Sequence, residues 1–412
     1  MERLQAYKFE LRPNGEQRLK MRRFAGACRF VYNRALALQK VNYSEGNKYQ
    51  SYAAMCSQLP SWKKENETKW LKNAPSQVLQ QTLKDLDKAY KNFFSKRASF
   101  PVFKKKGKGD SFRYPEPKHF KIDQANGRVF LPKLGWMRYC KSREVLGELR
   151  NITISKRAGK WFFSVQTKRE VSEPVNTATT AVGIDLGVAM FASQSDGISF
   201  KPVAAFSKYK RRLANAQRSL ARKKKFSNNW RKQKNKITRM HARIANIRND
   251  YLHKTSNDIS KNHAVVCIED LKVGNMSRSS KGNAKKHGKN VKAKSGLNRS
   301  ILDQGWFEFR RQLEYKLAWR GGWLIAVPPQ HTSQKCSKCG YTTKENRKTQ
   351  SKFSCISCGY MDNADINAAK NILAAGLAVN ACGGDVRPVE RFGVKPAAPL
   401  KQEPTEVIQA CA

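Results

Sequence analysis

The sequence has no run of about 18 apolar residues, so it offers no membrane-spanning helix. It has no apolar leader either. Met1-Glu2-Arg3-Leu4 runs straight into an alternating strand pattern, which predicts no secretory signal. Acids are scarce, 31 against 81 Lys and Arg, for a net charge of +50. The six histidines (His119, His241, His253, His263, His287 and His331) stand in no nucleophile or Ser–His motif, which leaves surface, capping or phosphate roles for them. No internal repeat is evident. Of ten cysteines, Cys28, Cys56, Cys140 and Cys267 sit singly in largely apolar surroundings. That usage fits a reducing, cytosolic compartment rather than a disulfide framework.

What is abundant is positive charge on a chain of 412 residues, long enough for two to four domains and a substantial core. An excess of this size repels itself in a compact state, so a polyanion is the natural counter-charge. A ribosomal-type RNA binder is one class that fits. An anionic membrane surface fits less well, because no basic amphipathic helix has a broad aromatic face.

Gln5 to Leu11 alternates as a strand, ended by Arg12-Pro13-Asn14-Gly15. A helical region follows, and Pro75-Ser76 opens a helix carrying Val78, Leu79, Leu83, Leu86, Tyr90, Phe93 and Phe94. From about 112 to 168 the chain reads as short strands. One hairpin pairs 151–155 with 161–165 around Arg157-Ala158-Gly159-Lys160. With the first strand this predicts a small barrel interrupted by helices, and 177–180 is a plausible boundary. Beyond it, Ala181–Leu186, Ala264–Ile268 and Trp323–Val327 read as buried strands, and Ala189–Ala192 as a possible continuation of the sheet. Residues 207–254 carry 17 Lys or Arg and one acid, Asp250, with Ile237, Met240, Ile244, Ile247 and Tyr251 at helical spacing. They predict a basic helical hairpin, either a solvated face or one that meets a polyanion. Residues 276–299 hold eight Lys or Arg and no acid, and read as a loop that orders on phosphate or as a disordered linker. Another helix spans the aromatic run from Trp306 to Trp319, and a last helix runs to about Ala375. The Pro-rich residues 381–412 read as a disordered tail.

Two sets of residues carry chemistry. Cys336, Cys339, Cys355 and Cys358 have C-x2-C-x15-C-x2-C spacing, and Gly340 and Gly359 follow the pairs. Each C-x2-C puts two thiolates on one tetrahedral ion through a tight turn, so the four predict one structural Zn²⁺ with no open position for chemistry. The second set is carboxylates out of place. Asp185 interrupts AVGIDLG, where Asp is disfavoured and costly to bury unpaired. Gly183 and Gly187 flank it and would let a phosphate backbone approach. Glu269 ends AVVCIE before Asp270, and Asp365 lies in DADINAAKNIL, seven residues after Cys358. Taken singly each has a plain reading. Asp185 is also a turn former, Glu269 the end of a strand beside solvent-facing Asp270, and Asp365 a helix cap, with Asp362 its competitor as cap and as ligand. Taken together, carboxylates at two strand ends and one helix start can converge at one sheet edge and hold Mg²⁺, two ions of which can hydrolyse a phosphodiester.

GIDLG, IEDLKV, QKCSKCG…CISCG and DADINAAKNIL, in this order, resemble TnpB, a family of RNA-guided nucleases from bacterial insertion sequences related to type V CRISPR effectors. FVYNRAL, PSQVLQQTLKDLDKAYKNFF, FPVFKKKGKGDSFRYP and ITISKRAGKWFFSVQ extend the likeness over about residues 1–380. The resemblance implies an α/β multidomain fold. An RNase H-like RuvC nuclease domain spans 177–329 and 361–380. An OB-like β-barrel (the wedge domain) spans 1–14 and 99–176, interrupted by a helical recognition domain at 15–98. A zinc-ribbon, target-nucleic-acid-binding module occupies 330–360. Asp185, Glu269 and Asp365 match the family's catalytic carboxylates. The resemblance further implies Mg²⁺, a guide RNA from the element's end (omega RNA), double-stranded DNA cut beside a target-adjacent motif, and a monomer acting in the bacterial cytoplasm at the nucleoid. A non-cleaving RNA-guided DNA binder and a zinc-ribbon RNA-binding protein are the competing functions.

Overall fold

The computed structural model describes residues 1–283 and 287–381, so the predicted tail from 382 onward lies outside the described residues. The chain divides into two compact units, Met1–Ser172 and Glu173–Ala412.

Unit 1 opens with strand β1 (Glu2–Arg12). Helices α1 (Gly15–Ser44), α2 (Tyr52–Ser57), α3 (Leu59–Lys64) and α4 (Ser76–Phe94) follow, then strands β2 (Ser111–Tyr114), β3 (Lys121–Asp123), β4 (Arg128–Leu131), β5 (Gly135–Tyr139), β6 (Glu148–Arg157) and β7 (Lys160–Glu170). The strands form one antiparallel sheet in the order β2-β6-β7-β1-β5-β4-β3. No pairing of β2 with β3 closes it into a complete barrel among the described residues. β1 lies at the centre, along β7, so the first strand and the last enclose the helices in sequence. Alternation supplies the core: Tyr7, Phe9 and Leu11 meet Phe163 and Val165 from β7 and Ile152 and Ile154 from β6. The hairpin turn Ala158-Gly159 has φ of 51° and 85°, the paired positive values of a tight turn that suits strand twist.

Unit 2 contains β8 (Ala181–Asp185), β9 (Ala192–Gln194), β10 (Ser199–Phe200), α5 (Ala205–Ala221), α6 (Asn228–Asn262), β11 (Val265–Glu269), α7 (Val273–Met276), α8 (Val291–Gln304), α9 (Trp306–Trp319), β12 (Trp323–Val327), β13 (Lys352–Ser354), β14 (Met361–Asn363) and α10 (Ala364–Ala381). The main sheet has the order β10-β9-β8-β11-β12. β11 runs parallel to both β8 and β12, and β9 runs antiparallel to β8. Strand alternation sorts the two faces. Val182, Ile184, Val266 and Ile268 pack with Leu252 and Ile259 of α6 and with Phe309, Leu313 and Leu317 of α9. Cys267, Ile325 and Val327 pack with Ile372 of α10 on the other face. Helices on both faces of the parallel strands β8, β11 and β12 explain why these strands read as unbroken apolar runs.

Several expectations shift. The compact units divide at Ser172/Glu173, a few residues before the expected 177–180 stretch, and Thr180 accepts from Ala264 N at 2.9 Å within unit 2. The continuing strand is β9, three residues past the predicted Ala189 start. The segment 276–299 is not wholly a loop, since α8 begins at Val291.

Candidate active site

β8 and β11 lie side by side in parallel, with Ile184 opposite Ile268, so the next residues, Asp185 and Glu269, end neighbouring strands. Both share the parity of Gly183 and Cys267 and so belong to the face covered by α10. The contact is close. A Cβ on Gly183 would stand 2.1 Å from Ala369 O, and one on Gly376 would stand 2.3 Å from Cys267 Sγ. Gly183 is two strand residues before Asp185, and Ala369 is four helix residues after Asp365. Both steps span about 6–7 Å, so the helix start comes level with the strand end. The structure thus brings Asp185, Glu269 and Asp365 to one end of one sheet. The sequence reading expected the flanking glycines to admit a phosphate backbone, but the space beside each is taken by the protein itself. Gly183 admits α10, and Gly187 admits Met190 O, which would lie 2.9 Å from its Cβ.

The helix cap is also corrected. Asn363 Oδ1 accepts from Asp365 N at 2.9 Å, which leaves the Asp365 side chain within the first helical turn. Asp362 is held by Tyr360 Oη at 2.6 Å and Lys370 Nζ at 2.8 Å, and Asn363 takes the cap in its place. Asp270 pairs with Arg310 instead of facing solvent freely.

Electrostatics single out Asp185. Burial first, then the charges of Glu269 and Asp365, push its carboxyl up to about 7, opposed by Arg347. Burial also raises Glu269, while the Thr332 hydroxyl, donating to Oε1 at 2.6 Å, pulls the other way. Asp365 pairs with Arg347 at 3.2 Å. Three carboxylates facing one guanidinium form a donor set short of positive charge, which suits a hard, oxygen-preferring cation. They are less tightly gathered than the cysteines. Among the described residues the four cysteines form the one set of such ligands whose donor atoms all lie within 4.8 Å of one another.

The thiolates fit zinc. Cys336 Sγ is 3.7 Å from Cys358 Sγ, and Cys339 Sγ is 3.6 Å from Cys355 Sγ. A tetrahedron with Zn–S bonds of about 2.3 Å has edges of about 3.8 Å. The two knuckles share one backbone pattern. Gly340 N donates to Cys336 O and Gly359 N to Cys355 O, both at 3.0 Å, with φ of 79° and 69° at the glycines. α10 grips this module through Asn367 and Asn371, whose amides donate to Lys335 O at 2.9 and 2.7 Å. Thr332 and Arg347 both come from the segment between β12 and α10, so the cysteine-bearing module supplies two contacts of the carboxylate cluster. Sequence reasoning missed both residues. A threonine and one of 81 cations carry no local signal, although the repeated Asn in INAAKN marks one helix face.

A 60% identical relative over 412 residues, covering all of both chains, is the Escherichia coli (strain K12) protein named "Putative RNA-guided DNA endonuclease InsQ". The chain belongs to the TnpB family. A Streptomyces pristinaespiralis protein with the same designation is 34% identical, over 97% of this chain and 96% of its own. A sequence family described as "Probable transposase" matches residues 164–280, and one described as "Cas12f1-like, TNB domain" matches 306–372, which includes the cysteine cluster. A family described as "Helix-turn-helix domain" matches 1–48, where this TnpB structure has one strand and the single long helix α1. In fold the chain resembles the protein of a Cas12f1–sgRNA–target DNA complex, with TM-score 0.53 and 15% identity over 86% of this chain and 82% of that one.

Proposed function

We propose that this chain is an RNA-guided DNA endonuclease in which Asp185, Glu269 and Asp365 hold catalytic magnesium. A guide RNA selects double-stranded DNA beside a short target-adjacent motif. The carrying observation is the convergence of three carboxylates from distant segments at one sheet end, close enough that two of them raise the third. The full-length relatives support the reading, and the fold likeness to a guide-bound effector supports it further. In this reading the β8–β12 sheet with α10 is the RuvC nuclease domain. The β1–β7 sheet is the wedge, residues 15–98 the recognition domain and 330–360 a zinc-loaded target-binding module.

Magnesium bound there would supply a Lewis acid for the attacking water and neutralise charge at the leaving 3′ oxygen. The chain's own residues prepare that site. Asp185 must give up its proton to act as a ligand. Thr332 fixes the orientation of Glu269 by its hydrogen bond. Arg347 sets the position of Asp365 and keeps a guanidinium at the cluster that can pair with a phosphate oxygen. The 17 cations of the 207–254 region give a backbone-reading surface for a guide–target duplex.

The test is Asp185→Ala in the reconstituted ribonucleoprotein with supercoiled target DNA. Binding of RNA and target is retained and cleavage is abolished. Undiminished cutting by the variant at normal magnesium refutes the assignment. Guide-dependent protection without nicks in the wild type identifies a non-cleaving binder instead.

A further inference from the structure

The basic hairpin α5–α6 ends in a feature that phosphate binding alone does not explain. Its tip reads Arg222-Lys223-Lys224-Lys225-Phe226-Ser227. Phe226 is 63% exposed, and its φ is 68°, in the left-handed region. A glycine adopts that conformation freely, whereas a bulky side chain does so only at a cost. The tip is not loose. Lys223 N donates to Leu220 O and Ser227 N to Lys224 O, both at 3.1 Å, and the Ser227 hydroxyl caps α6 by accepting from Trp230 N at 3.2 Å. Gln233 ties α6 back to α5 through Ala216 O at 2.9 Å.

The Phe226 ring lies 5.5 Å from the Trp230 ring at 59°. Lys225 Nζ is 5.4 Å from the Phe226 ring centre, and Lys234 Nζ is 4.8 Å from that of Trp230. With the ring 63% exposed, core burial does not offset that backbone cost, and costly backbone conformations of this kind cluster at ligand-binding sites. Two π-faces set among ammonium groups match an unpaired nucleobase with its flanking phosphates. Base–aromatic stacking and cation–π contact act there without regard to sequence.

We propose that the hairpin tip is a stacking site for an unpaired nucleobase. The Phe226 ring takes the base, Trp230 backs the ring, and Lys223, Lys224 and Lys225 hold the adjacent phosphates. The proposal rests on the nucleic-acid reading above and adds to it a preference for unpaired strands at a defined position.

The experiment uses the full chain with 5-iodouracil-substituted single-stranded DNA, single-stranded RNA of the same sequence, and a blunt duplex. Photocross-links are mapped by mass spectrometry, and affinities are read by anisotropy over a range of KCl concentrations. Adducts on Phe226 or Trp230 are expected with single strands and not with the duplex. The DNA and RNA arms show which strand the site takes. Phe226→Leu, which stays apolar but loses the π-face, lowers adduct yield at least fivefold, and Phe226→Tyr restores it. The dependence of affinity on salt is unchanged in Phe226→Leu, because no phosphate contact is removed. Phe226→Gly loses the adduct yet melts no lower than wild type, since glycine suits the backbone there. Absence of adducts at the tip, equal yield from Phe226→Leu, or equal yield from the duplex overturns the proposal, as would capture of an acidic peptide in place of either strand. Guide-dependent cleavage is scored separately on the wild type. A protein that fails to cut but shows Phe226-dependent adducts sinks the endonuclease reading alone. One that cuts while Phe226→Leu cross-links normally sinks the stacking site alone.

Discussion

Replacing Asp185 with asparagine keeps its shape and removes its charge, which isolates the electrostatics of the cluster. The carboxyl is displaced from 3.8 to about 7. At about 1.36 kcal/mol for each pKa unit, the ionised form costs the folded state up to about 4 kcal/mol. Because the folded value is raised, that cost is absent below pH 3.8, where both states are protonated. It grows from there to about pH 7 as the unfolded chain ionises first, and it is complete above pH 7. In magnesium-free buffer Asp185→Asn is therefore more stable than wild type, with an advantage that increases by about 2 to 3 kcal/mol between pH 5 and pH 8. The two compact units need not melt together, so the suitable assay is hydrogen exchange of the β8 and β11 amides. Adding magnesium at pH 8 slows exchange in the wild type, because ligation replaces repulsion among the carboxylates, and has little effect in the variant. A variant less stable than wild type at pH 8 without magnesium, or a difference independent of pH, refutes the reasoning. Asp185 would then be a carboxylate satisfied by its surroundings.

Two other perturbations follow from the packing. Cys336→Ser breaks the thiolate tetrahedron, so metal analysis finds the zinc equivalent lost and the melting temperature of unit 2 falls by about 10 °C. Target cleavage falls with it, because Thr332 and Arg347 come from the same segment; retained zinc would exclude Cys336 as a ligand. Gly183→Ala forces a methyl group to within 2.1 Å of Ala369 O and displaces the start of α10. It costs about 3 kcal/mol by overpacking and lowers cleavage more than DNA binding. Wild-type cleavage in that variant would show that the position of α10 does not set the site.

Local chemistry was legible in advance. The cysteine set is fixed by spacing along a few residues and by glycines in two tight turns, and the fold gathers its four ligand atoms to within 4.8 Å of one another. The hairpin of β6 and β7, the three strands β8, β11 and β12 and the order of carboxylate-bearing segments were equally readable. Each depends on alternation or apolar runs within a single segment. The helical start of α8 was obscured by a run of Ser, Gly and Lys that looks like a linker. Asn363 as the cap of α10 was overlooked beside two more obvious aspartates.

The sequence alone therefore determined which segments carry acids, thiols and cations, and the family whose order of motifs they follow. Only tertiary structure decided which of those groups meet. Strand parity turns Asp185 and Glu269 toward α10, and Gly183 and Gly376 allow that helix to lie close enough to deliver Asp365. Thr332 reaches Glu269 across 63 positions of chain. No periodicity records a contact of that kind, because it arises from how a sheet, a helix and a metal knuckle pack against one another.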